Sequence, residues 1–133
     1  MTVALDDIRQ QAEAIEASLS RLIDSNKSPG ENDVWPLYAR SEMTAAILKY
    51  RMKVERPGVF QTLPKSDAPE EFLPPALAAL RAALAFLTEQ RASESLEQLR
   101  KARTLLRAFL ASKKRLAARE KRRTRALARS ATS

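Results

Sequence analysis

The residues best suited to chemistry are clustered near the end of the chain. Lys113, Lys114, Arg115, Arg119, Lys121, Arg122, Arg123, Arg125 and Arg129 fall within 17 positions, and Glu120 is the single acid among them. Guanidinium and ammonium groups at this density neutralise phosphates, and arginine adds two-pronged hydrogen bonding to phosphate oxygens. No aromatic residue follows Phe109, so base stacking from this segment is excluded. Contacts made by these nine residues are expected to be indifferent to sequence. A solvated terminus that aids solubility, or docking on an acidic protein, are the competing readings of the same charge.

Other chemistry is disfavoured by what is missing. The 133 residues contain no cysteine and no histidine. That removes disulfides, thiolate and imidazole metal sites, thiol nucleophiles and the usual imidazole base. The only glycines, Gly30 and Gly58, stand in turn-like contexts and cannot build a phosphate-binding glycine loop. Glu13 and Glu16 lie on adjacent helical turns, but with no histidine to join them they read as a solvated helix face. The expectation is a non-enzymatic protein without metal or cofactor.

The net charge of +8 is unevenly placed. Residues 1–110 carry 15 basic and 15 acidic side chains, whereas 111–133 carry nine basic and one acidic. A neutral core over 1–110 with a basic extension over 111–133 follows. Asp6 and Asp7 stand where a secretory leader would be basic, and no stretch is expected to reach the ~20 apolar residues that span a bilayer, since Arg81 and Arg91 bracket the most apolar segment. Together these point to an intracellular location, cytoplasmic or nucleoid-associated, with no membrane contact.

The elements that must position these groups are helical. Leu5, Ile8, Ala12, Ile15, Leu19 and Leu22 recur at steps of three and four, with Thr2 as a cap. Residues 24–33 are dense in turn formers. A second helix is expected from Asp33 as cap to about Glu55, with Trp35, Ala39, Met43, Ile47, Tyr50 and Val54 on its inner face. Trp35 and Tyr38 at its start read as a hydrophobic staple or core edge, with a docking surface as the alternative. Pro57, Pro64 and Pro69 impose an extended connector in which Val59, Phe60 and Leu63 cover a core edge.

The third helix, carrying Leu77, Leu80, Leu84 and Leu87, has two candidate starts, near Pro69 or at Pro74-Pro75, and consecutive prolines suit a first turn, which favours Pro74. Ser95-Leu-Glu-Gln98 has the form of a capping box opening a fourth helix, although continuity through Ser93 is compatible with the pattern. In that helix Leu99, Ala102, Leu106, Phe109, Leu110, Leu116 and Leu127 share an arc, opposite the basic residues. Self-repulsion should fray its basic end. The fold class is all-α, a small bundle of three to four helices with a basic helical tail. Its helical faces are expected to contact other protein subunits or a second copy.

The segments Ile47-Leu-Lys-Tyr50, Glu55-Arg-Pro-Gly-Val-Phe-Gln-Thr-Leu-Pro64, Glu70-Glu-Phe72 and Glu97-Gln-Leu-Arg-Lys-Ala-Arg-Thr-Leu-Leu106, followed by the Lys/Arg-rich 112–119, form an ordered series. Over about residues 37–127 this resembles the helical domain of GINS subunits, small replication proteins that join the MCM helicase. Leu73, Pro74 and Pro75 depart from that pattern, the first 30 residues have no counterpart in it, and the small β domain is missing. The resemblance implies a helical scaffold that assembles with other subunits, a replicative helicase and a RecJ-like partner, without catalysis. A small subunit of another nucleoprotein complex, such as an RNA-guided defence complex, is the alternative.

Overall fold

The computed structural model describes residues 5–25, 27–53 and 62–131, and these contain four α-helices and no strand. They are α1 (Asp6–Asp24), α2 (Glu31–Met52), α3 (Leu73–Thr88) and α4 (Ala92–Ala131), with a 3-10 turn at Pro69–Phe72 preceding α3. The all-α bundle expected from the spacing is what the chain forms. Helix α1 packs on α2 and α3, and α4 packs on α2 and α3, so the four form a square with α1 diagonal to α4. Asp7 meets Arg51, and Gln11 meets Thr44, which makes α1 and α2 antiparallel. One end of the square gathers the α1–α2 loop, the 3-10 turn and the middle of α4, where Ser28 and Lys113 both donate to Glu70.

The stripe in α1 is buried as its spacing predicts: Ile8, Ala12, Ile15 and Leu19 are fully enclosed. Thr2 lies outside the described residues, as do Val54, Glu55, Pro57, Gly58, Val59 and Phe60. In α2 the inner face differs from the expected one. The buried residues are Val34, Leu37, Ser41, Thr44, Ala45 and Leu48, while Trp35, Met43 and Tyr50 are 51%, 62% and 87% exposed. Two polar residues fit this inner face because both are satisfied. The Ser41 hydroxyl donates to the Leu37 carbonyl at 2.8 Å, and Thr44 Oγ1 pairs with Gln11 Oε1 at 3.1 Å. The start of α2 is also earlier than expected. Gly30 is the cap, and Asp33, three residues on, accepts from the Gly30 N–H at 2.9 Å. Pro36 therefore sits inside the helix; the carbonyl it leaves without a donor belongs to exposed Asn32. A left-handed Lys53 (φ 52°) closes the helix before Glu55.

Both proline signals near α3 are used, with Pro69 opening the 3-10 turn and Pro74 and Pro75 in the first helical turn. The 20 residues Pro69–Thr88 are long and apolar enough to cross a membrane by length and composition, contrary to the expectation that no stretch would be. In the bundle this segment buries Leu73, Ala76, Leu77, Leu80, Ala83 and Leu87. Helices α3 and α4 are separate. Gln90 takes a left-handed backbone (φ 59°), its N–H bonds to the Leu87 carbonyl at 3.1 Å and that of Arg91 to the Phe86 carbonyl at 2.8 Å. This is the reciprocal pair of a Schellman stop. Helix α4 then opens at Ala92, not Ser95, because the buried Ser95 hydroxyl reaches across to the Ala83 carbonyl of α3 at 2.9 Å.

Candidate nucleic-acid interface

Helix α4 is 40 residues long, about 60 Å at 1.5 Å per residue, and outruns every partner helix. Its inner side is fixed by Leu96, Leu99, Ala102, Leu106, Ala108, Phe109 and Leu110. Burial continues past residue 110 to Ser112, and Leu116 is half-buried, so the boundary drawn at 110/111 falls inside a continuous packed helix. From Ala117 to Ala131 every residue is exposed, including Leu127 at 64%, which keeps its place on the apolar arc but lies where the arc has no helix to pack against. About 22 Å of helix projects from the bundle.

The nine cations read from the sequence divide into two groups. Lys113, Arg115 and Arg119 sit in a collar of acids where α4 leaves the bundle. Lys113 Nζ is 3.4 Å from Glu70 and lies over the Phe109 ring, with 5.6 Å to its centroid. Arg115 Nη2 donates to Asp67 at 3.1 Å and to the Ser66 carbonyl at 3.0 Å, and Arg119 is 3.8 Å from Asp67. The Glu70 carboxyl is held below its ordinary range, first by its own backbone N–H and then, against partial desolvation, by the Lys113 charge. Lys113 thus joins the helix to the 3-10 turn, and Arg115 and Arg119 join it to the segment just before that turn. Lys114, exposed beside the collar, and Lys121, Arg122, Arg123 and Arg125 on the projecting segment form no ion pair among the described residues, and Arg129 lies on the same segment.

The structure adds residues that charge counting concealed. At 100° per residue, Arg100, Arg103, Arg107, Lys114, Lys121 and Arg125 fall on one arc of about 60°. Arg129 and Arg122 border it, and no Asp or Glu between Arg100 and Arg129 shares that arc. Arg100, Lys101, Arg103 and Arg107 are half-buried or exposed, and they too lack an acidic partner among the described residues. The basic surface thus runs about 38 Å along α4 from Arg100 to Arg125, beginning within the bundle rather than at its edge. The sign that was available in the sequence is the three- and four-residue spacing of Arg100, Arg103 and Arg107.

No group of three or more metal-ligating side chains occurs among the described residues. An open cleft between the start of α2 and α4 is lined by Glu31, Asp33, Lys113 and Glu120. Its net charge is acidic, which repels phosphate. Glu13, the other half of the carboxylate pair, is engaged with Arg9 at 3.5 Å, and Glu16 accepts from Arg81 at 3.0 Å. No protein-family model, curated protein or solved structure matches this chain.

Proposed function

We propose that this chain is a non-enzymatic helical subunit of a nucleic-acid-processing assembly, its bundle contacting protein and its α4 ridge contacting phosphates without regard to sequence. The observation that supports this reading is the acid-free basic arc, which combines Arg100, Arg103, Arg107 and Lys114 along the bundle with the projecting Lys121 and Arg125. A rigid row of cations on a helix matches the phosphate row of a nucleic-acid strand, and the absence of aromatics beyond Phe109 favours backbone over base contact. The GINS resemblance points toward replication within that class.

Fluorescence anisotropy with a mixed-sequence duplex tests the reading, using the full chain and a variant with Lys121, Arg122, Arg123 and Arg125 replaced by Gln. The reading expects binding to duplexes of unrelated sequence with similar affinity, weakened in the variant. Binding of poly-glutamate equal to that of the duplex would instead favour docking on acidic protein.

A further inference from the structure

Helix α2 is apolar on two opposite faces, and only one of them is used by the bundle. At 100° per residue Trp35, Ala39, Met43, Ala46 and Tyr50 lie within about 80° of one another, diametrically opposite the buried Val34, Leu37, Ser41, Thr44 and Leu48. All five outer residues are exposed, with Trp35 at 51%, Met43 at 62% and Tyr50 at 87%. Trp35 is braced edge-on by Tyr38, the ring centroids 5.6 Å apart at 75°. A contiguous apolar stripe of this kind on a protein surface marks an interaction site.

We propose that this stripe is a two-fold interface with a second copy of the chain, formed by antiparallel α2 helices. The spacing itself is self-complementary. About a centre between Glu42 and Met43, Trp35 falls opposite Tyr50 of the second copy and Ala39 opposite its Ala46. A two-fold contact requires this property, since each patch must fit itself. The alanine pair lets the helices approach to the ~8 Å end of the usual range, while the aromatic residues close both ends. Charge agrees as well: Lys53 of one copy comes beside Glu31 of the other at each end. The exposed parts of Trp35, Met43 and Tyr50 amount to roughly 400 Å² per chain. With the alanines and the flanking stems of Glu42 and Lys49, two copies reach the lower limit of a stable interface, about 1,200 Å². Glu42 meets its own copy near the axis, and this repulsion limits the affinity to a concentration-dependent dimer.

Sedimentation equilibrium of the full chain, without nucleic acid and in 0.5 M salt to screen the α4 charge, reads the interface independently of any phosphate binding. A monomer–dimer equilibrium is expected, weakened at least about tenfold by Met43→Glu and tightened by Glu42→Gln, with thermal unfolding of the monomer unchanged in both. Because the chain has no cysteine, register is tested by oxidising Ala39→Cys and Ala46→Cys variants alone and mixed. The mixture should give a disulfide-linked heterodimer and neither variant alone a comparable yield. A chain that stays monomeric to millimolar concentration, a dimer indifferent to Met43→Glu, or crosslinking of each variant with itself would overturn the proposal.

Discussion

The Asp67 carboxylate lies 3.1 Å from Arg115 Nη2 and 3.8 Å from Arg119 Nη1, at the point where α4 leaves the bundle. One acid outside the helix therefore engages two of the nine cations assigned to phosphate. Asp67 and Arg119 are well exposed and Arg115 is half-buried, so the two ion pairs with Asp67 add little to stability. Their larger effect is to subtract positive potential from the root of the ridge.

Replacing Asp67 by Asn should raise duplex affinity and steepen its salt dependence by about one unit of log–log slope per cation released. Circular dichroism should show the same helix content. Unchanged affinity would mean that the collar is remote from the phosphate contacts.

Much of the bundle was legible because its core residues follow helical spacing, as Ile8, Ala12, Ile15 and Leu19 do in α1. The same rule misassigned α2, where Trp35, Met43 and Tyr50 form as regular a stripe on the outside. Spacing cannot distinguish two apolar faces of one helix, and Ser41 and Thr44 hid the true inner face because their hydrogen bonds exist only in the packed state. Ser95 looked like a cap for a comparable reason, since its actual acceptor, the Ala83 carbonyl, lies on another helix. The basic ridge was half legible. Arg100, Lys101, Arg103 and Arg107 were cancelled on paper by acids such as Glu13 and Glu42 that lie on other helices.

The two faces of α2 should respond differently to truncation. Leu48→Ala removes a fully buried side chain and should cost about 2–5 kcal/mol in denaturant unfolding. Tyr50→Ala, at an 87% exposed position, should stay within about 0.5 kcal/mol when measured below the concentration of self-association. Equal losses at both positions would contradict the observed orientation of the helix.

Gln90 holds the left-handed turn between α3 and α4 with a side chain where glycine is the usual occupant. Gln90→Gly relieves the Cβ conflict, partly offset by the greater freedom of glycine in the unfolded chain, and should stabilise by about 0.5–1 kcal/mol. Thermal unfolding provides the check. A loss of stability would show that the Gln90 side chain contributes contacts that outweigh the backbone strain.

Asp7 and Arg51 join the first turn of α1 to the last turn of α2 by two parallel hydrogen bonds of 2.6 and 2.9 Å. The Arg51 guanidinium pulls the Asp7 carboxyl from its ordinary 3.8 down to about 2. A depressed carboxylate contributes stability that is complete above the unfolded value and is lost as pH falls through the folded one. The difference in melting temperature between the native chain and Asp7→Asn should therefore be constant above pH 5 and shrink toward pH 2. A difference that persisted undiminished at pH 2 would assign the effect to something other than this charge.

The most direct test of phosphate binding by α4 is the salt dependence of duplex DNA affinity, measured from 50 to 300 mM for the full chain and for the variant with Lys121, Arg122, Arg123 and Arg125 replaced by Gln. If the six cations of the arc displace counterions, log affinity should fall against log salt with a slope of about −5, and the variant, which keeps Arg100, Arg103, Arg107 and Lys114, should flatten this to about −3 to −4. The same slope and affinity in both proteins, or no measurable binding by the full chain at 50 mM, would contradict the account.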